Sequence, residues 1–303
     1  MSEVLVVGSL AYDSVTTPSG SAKKSLGGSA NYFSVAASFF TNVRVVGVVG
    51  SDYQDSDREI LQNRNVDLSG LQVVNGETFH WAGTYEKSLN EAVTLKTELN
   101  VFADFNPELP ESYKNSEYVF LANIDPILQL KVLSQIQNPK FIGMDSMNYW
   151  IMSKKEDLIS VMKKVNIVFV NETEAQMLTG EANAIKAIKK VSDLGPGFVC
   201  VKRGEYGSTL YSKQYGFFQC SSLPVETVID PTGAGDSFAG GFFGYLSKSV
   251  TGQPTWTDLK KAVLAGTVMS SQTIQDFSLK KLVQVDETKY TTLLQELSEI
   301  ISI

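Results

Sequence analysis

Six short apolar runs, at positions 4–8, 43–49, 118–122, 141–145, 167–170 and 198–201, alternate with stretches of helical spacing along most of the chain. The runs are mostly β-branched, the composition of strands covered on both faces. The intervening segments predict helices at 29–40, 56–63, 126–136, 154–165, 172–178 and 184–194. Parallel strands need a crossover of a dozen or more residues, so repeated βα units dictate a mostly parallel sheet between two helical layers. The predicted fold class is α/β, a three-layer α/β/α sandwich, in one domain spanning 1–303.

Two regions break this rhythm. Across 71–99, Phe79, Trp81 and Gly83 alternate with Thr78, His80 and Ala82, the period of strands and hairpins. The polar, Gly- and Pro-containing loop 14–25 is placed to meet them. Together they predict a small β lid, formed by segments at about 12–26 and 71–100. A second hairpin is expected at an edge over 208–220. An exposed lid offers a strand edge through which two copies could pair as a homodimer.

Composition narrows the chemistry. His80 is the single histidine, so zinc sites with two or three imidazoles are excluded, and any Ser-His-Asp arrangement would have to use it. Acidic residues outnumber basic ones, 33 to 26, for a net charge of -7, which argues against nucleic-acid binding. Cys200 and Cys220 lack CxxC spacing and read as two reduced, buried thiols, which suggests the cytoplasm. The run Val4-Leu5-Val6-Val7 has no basic flank and reads as a strand rather than a signal peptide. No run reaches the roughly 18 apolar residues of a membrane span.

The most informative stretch is Asp230-Pro231-Thr232-Gly233-Ala234-Gly235-Asp236, preceded by an extended 225–229 and followed by a helix in which Phe238, Phe242 and Leu246 recur every four residues. Small residues let the amides of Gly233, Ala234 and Gly235 converge at the helix N-terminus, where the dipole favours an anion. Asp236 falls in the first turn beside that anion hole. A carboxylate base next to such a nest is what phosphoryl transfer to an alcohol requires. The plainer reading is dipole complementation by Asp236 with glycines for close packing; against it, Gly240, Gly241 and Gly244 weaken the helix and mark a close approach of something to that face. No GxxxxGK[ST] occurs, and the turn lacks the third glycine of a dinucleotide fingerprint.

With these residues the sequence resembles the ribokinase-like (PfkB) family of carbohydrate and nucleoside kinases over essentially its whole length. The resemblance implies a ribokinase-like sandwich with a β lid and transfer from ATP to a hydroxymethyl group of a sugar, or alternatively of a nucleoside, with Asp236 as the base. Asp13 looks like the family's substrate-binding aspartate. Gly27, Gly28 and Asn31, in Gly27-Gly28-Ser29-Ala30-Asn31, look like its acceptor-site signature. Asn171 and Glu174 look like its Asn-x-x-Glu motif, which organises Mg2+ and nucleotide phosphates, the metal being held through water. Lys202, Gly204 and Gly207 look like the turn beside the nucleotide, and Gly266 and Ser270 are the positions expected in the adenine pocket.

Read on their own, Asp13 is a turn residue after a strand, Asn171 a helix N-cap and Glu174 a dipole-complementing acid. The aromatics Tyr12, Phe79, Trp81 and Tyr85 could stack a nucleobase or pack the lid. The family pattern also fails in two places. Asp145-Ser146-Met147-Asn148-Tyr149 has tyrosine where an arginine is common, which leaves Asn148 without a role. Asp230 and Thr232 match part of a monovalent-cation site, but Thr273-Ile274-Gln275-Asp276 replaces the Lys-Gly-Ala turn beyond it, which counts against K+ dependence. A non-catalytic sugar- or nucleoside-binding sensor would be expected to have an altered base, and Asp236 is intact.

Overall fold

The computed structural model describes residues 3–86 and 89–302, so positions 87 and 88 of the expected lid and the chain ends of the expected 1–303 domain lie outside the described residues. The strands are β1 Val4–Val7, β2 Ala11–Thr17, β3 Gly20–Gly27, β4 Val43–Gly50, β5 Val66–Val74, β6 Phe79–Thr84 and β7 Val93–Glu98, then β8 Tyr118–Leu121, β9 Phe141–Asp145, β10 Ile167–Asn171, β11 Phe198–Lys202, β12 Ser208–Ser212 and β13 Gly216–Cys220. The helices are α1 Ser29–Ser38, α2 Asp55–Gln62, α3 Pro126–Leu133, α4 Asn148–Ser153 and α5 Lys155–Met162, then α6 Glu172–Thr179, α7 Ala184–Asp193, α8 Ala234–Ser249, α9 Trp256–Thr273 and α10 Glu287–Ile301.

The large sheet runs β13-β12-β11-β10-β9-β8-β1-β4-β5. Every pairing from β5 to β11 is parallel, and β12 and β13 add the antiparallel edge hairpin expected over 208–220. Burial explains the apolar runs. On β1, Val4 and Val6 join one core cluster with residues of α1, α8 and α9, while Leu5 and Val7 join a second with residues of α5, α6 and α7. The sheet is therefore the middle of three layers. Strand order reverses between β1 and β8, and in open α/β sheets ligands bind at the carboxyl ends flanking such a switch.

The small sheet, β3-β2-β6-β7, has antiparallel outer pairs around a parallel β2–β6 pair. His80 ties three of its strands together, with Nε2 2.9 Å from Ser14 Oγ and Nδ1 2.9 Å from Glu98 Oε2. Residues 71–74, expected in the lid, instead complete β5 in the large sheet. The segment 225–229, expected to be extended, forms no strand, and the Ile229 N–H donates to the Ile274 carbonyl. Cys200 and Cys220 are free and buried. Among the described residues no helix is long and apolar enough to cross a membrane.

Candidate active site

After β1 the chain crosses at once into β2, which brings Asp13 to the switch point. Asp13 is buried and accepts a hydrogen bond from the Gly28 N–H. A Cβ on Gly27 would lie 1.9 Å from Asp13 Oδ2, and Gly28 sits at φ +90°. Only glycine suits both positions, which explains the pair physically. Asn31 is fully buried; its Nδ2 donates to the Gly27 carbonyl at 2.6 Å, and its Oδ1 accepts from the Tyr53 hydroxyl at 3.3 Å. Gly27, Gly28 and Asn31 therefore form a bracket that holds Asp13. Burial, with the charges of Asp230 and Asp236, pushes the Asp13 carboxyl up to about 7 against the pull of the Gly28 amide.

Gly233 is the N-cap of α8, in the left-handed region at φ 76°. A Cβ there would strike the Tyr32 ring, 2.3–2.4 Å from three of its carbons. The Ala234 N–H donates to the Pro231 carbonyl at 3.2 Å, and Ser237 N–H to the Gly233 carbonyl at 2.9 Å. Among the described residues no hydrogen bond occupies the Gly233 or Gly235 amide. The anion hole expected from three amides thus has two open ones, with Ala234 spent on the turn itself. Asp236 lies in the first turn and is partly buried. Burial and the Asp145 charge push its carboxyl up to about 7, with Lys202 opposing.

Three parallel strands end on the other side of this turn. Asp145 closes β9, Asn171 closes β10 and Lys202 closes β11. Lys202 Nζ lies 2.8 Å from Asp145 Oδ2, and a Cβ on Gly235 would come within 2.7 Å of the same ammonium. Burial alone would lower the Lys202 pKa; the charges of Asp145, Glu174 and Asp236 raise it instead and keep it charged. Asn171 and Glu174 cap α6 reciprocally: Asn171 Oδ1 accepts from the Glu174 N–H at 2.8 Å, and Glu174 Oε2 accepts from the Asn171 N–H at 2.7 Å. The N-cap reading of Asn171 is correct, and it leaves Glu174 Oε1 outside the box. Burial pushes Glu174 up to about 7, with Lys202 lowering it and Asp145 raising it. Asp145 was not among the expected site residues; its signal was a lone acid at the end of an apolar strand.

Other expected positions lie elsewhere or serve packing. A Cβ on Gly266 would meet the Phe238 carbonyl at 2.6 Å, so Gly266 lets α9 cross α8, and Ser270 Oγ donates to the Thr267 carbonyl. What approaches the glycines of α8 is protein: the Phe33 carbonyl at Gly240, the Ala265 carbonyl at Gly241 and Ala37 at Gly244. Gly204 at φ +55° and Gly207 at φ +81° shape the turn after β11, against Asn90 and the Cys220 carbonyl. Asp230 is buried and accepts from the Thr232 N–H at 2.9 Å. The carbonyls of Ile229 and Val228, just before it, accept from Thr17 Oγ1 at 2.7 Å and Ser19 Oγ at 3.0 Å, which ties β2 and the turn after it to this segment.

The lid aromatics divide. Tyr12 donates to Asp57 Oδ2 at 2.6 Å, Phe79 stacks on Phe102 with ring centres 5.4 Å apart, and Trp81 Nε1 donates to Thr94 at 3.2 Å. Tyr85 instead reaches the 230–236 turn, its hydroxyl 3.3 Å from Thr232 Oγ1.

Comparison with known proteins gives a consistent result. Residues 1–284 match the family model described as pfkB family carbohydrate kinase. A cytidine kinase of Thermococcus kodakarensis is 28% identical over 252 residues, covering 82% of this chain and 90% of that enzyme. The nucleoside kinase structure of Methanocaldococcus jannaschii, an archaeal member of the ribokinase family, aligns over 99% of each chain with a TM-score of 0.75 and 21% identity. The fructokinase of Vibrio cholerae O395, in its fructose-, ADP- and calcium-bound form, aligns over 97% of this chain and 99% of its own with a TM-score of 0.79 and 19% identity.

Proposed function

This chain belongs to the pfkB family of carbohydrate kinases, phosphotransferases with an alcohol group as acceptor, and from that premise we propose that it transfers the γ-phosphoryl group of ATP to a hydroxymethyl group of a riboside. The observation that carries the chemistry is Asp236 in the first turn of α8, beside the open Gly233 and Gly235 amides and below the Lys202 ammonium. Asp13 accepts hydrogen bonds from vicinal acceptor hydroxyls and fixes the hydroxymethyl toward Asp236. Asp236 takes the hydroxyl proton as the oxygen attacks the γ-phosphorus, and the bond from that phosphorus to the β–γ bridging oxygen breaks to release ADP. The amides and Lys202 stabilise charge on the transferred phosphoryl oxygens and cost no reorganisation at that moment. Closure of the small sheet as a lid excludes water and suppresses ATP hydrolysis.

The donor set suits a magnesium ion that arrives with the nucleotide. Asp145, Glu174 and Asp236 set three carboxylates against one ammonium. Among the described residues no three acidic, histidine or cysteine side chains are grouped to cage an ion. Magnesium usually keeps several waters and few protein ligands, so Glu174 and Asn171 would hold it through water. Bound there, the ion neutralises phosphate charge.

A riboside is placed ahead of the free sugar expected from the sequence because a cytidine kinase and a nucleoside kinase, each 28% identical, align over more than 80% of both chains. One observation favours the sugar as a second reading. Tyr12, Phe79 and Trp81 are engaged by their own neighbours, which leaves Tyr85, of the four aromatics, to stack a base. ADP formation against cytidine, adenosine, inosine, ribose and fructose, with and without K+, tests the choice. The highest kcat/KM is expected for a nucleoside; turnover of sugars alone supports the second reading, and binding without turnover of any of them supports a sensor.

A further inference from the structure

Tyr32 follows Asn31 in α1 and projects between the acceptor bracket and the catalytic turn. Its side chain is 2% exposed. The ring lies against Gly233, where a Cβ would fall 2.3–2.4 Å from its carbons, so ring and turn are fitted to each other. Asp13, Asp230, Asp236 and Tyr85 all act on its hydroxyl. Among the described residues no hydrogen bond reaches that hydroxyl. The hydroxyl oxygen is not one of the fully buried polar atoms left without a partner, so it faces open space from which a bound molecule can partner it.

The surroundings state what that partner must be. The three carboxylates are hydrogen-bond acceptors when ionised, and Tyr85 is already beside Thr232. A diol presents two protons to donate and lone pairs that need donors. Asp13 can take the protons, and nothing on the carboxylates can serve the lone pairs. We propose that Tyr32 is a specificity-determining residue of the acceptor site, donating its phenolic proton to one ribose hydroxyl oxygen whose own proton goes to Asp13. The proposal rests on the kinase reading above and deepens it, because it makes the site selective for a hydroxyl rather than for bulk.

The test compares the wild-type protein and Tyr32→Phe on cytidine and on its 2′-deoxy and 3′-deoxy analogues, with melting temperature as a check that the ring still packs on Gly233. Tyr32→Phe should raise the KM for cytidine about tenfold, the order expected for one lost hydrogen bond, with kcat and the KM for ATP changed less than about twofold. On one deoxy analogue, the one lacking the oxygen Tyr32 serves, the two proteins should differ less than about twofold. An unchanged KM for cytidine overturns the proposal, and so does an equal loss on all three compounds. If the wild-type protein phosphorylates no riboside, the function proposed above fails separately. Calorimetric binding of cytidine and of ribose then reads the same comparison, and affinities equal in both proteins, or binding by neither, overturn the role of Tyr32.

Discussion

Lys202 Nζ lies 2.8 Å from Asp145 Oδ2 and so joins the ends of β11 and β9 across the intervening β10. The Asp145 side chain is 6% exposed, and Lys202 is the cation that Asp145, Glu174 and Asp236 share. Removing one partner of a buried pair leaves the other charge uncompensated, at a cost of about 3–5 kcal/mol. Lys202→Met should therefore lower the urea midpoint sharply and abolish turnover. Adding Asp145→Leu should recover much of the stability and none of the activity. A single variant that unfolds at the wild-type midpoint contradicts the pairing.

Asp236 and Asp13 both have carboxyls raised from 3.8 to about 7, chiefly by burial. A general base must be ionised, so kcat/KM should rise with pH through about 7 and fall toward acid. Stability should move the other way. Between about 4 and 7 the folded protein holds protons that the unfolded chain has released, so stability contributed by these groups is fully present below about 4 and is lost as pH rises through 7. A pH–rate profile and a melting series over the same range check both signs, and activity flat from pH 5.5 to 8 contradicts the assignment.

Asp13→Asn keeps an oxygen for the Gly28 N–H and removes a charge repelled by Asp230 and Asp236. It should raise the melting temperature at pH 8 while lowering acceptor affinity at least about tenfold, the pattern of a site that holds strain for function. Loss of stability together with activity would mean the carboxylate is structural.

Gly27→Ala meets no backbone restriction, because Gly27 is not in the left-handed region, but its methyl would lie 1.9 Å from Asp13 Oδ2. The methyl must displace Asp13 while leaving the sheet intact. The expected outcome is a higher KM for the acceptor and an unchanged KM for ATP, read by steady-state kinetics. An acceptor KM equal to the wild-type value contradicts the bracket.

The layers of the fold were legible because each buried strand is written as an apolar run, and the 141–145 run coincides with β9. Residues 71–74 were misplaced because β5 lies at the sheet edge, where Gln72, Val73 and Val74 are not buried and strand composition loosens. The 233–236 turn was readable because φ at Gly233 and the approach of Lys202 to Gly235 both demand small residues. Gly266 and the glycines of α8 carry the same letter for a different reason, helix crossing, and sequence does not separate the two. Asp145 was passed over because Asn148 and the missing arginine stand out in its run, and Tyr32 because it stands just past the 27–31 signature. Their partners, Lys202 and Gly233, are supplied by distant strands and helices.

Asp236→Asn tests the central claim most directly. The substitution preserves shape in a carboxylate site and removes a buried charge, so acceptor binding should stay near wild type and the melting temperature at pH 8 should not fall below it. The account predicts a kcat lowered at least about 10²-fold, the lower end for lost general-base catalysis. Turnover by the Asn variant at the wild-type rate would contradict it.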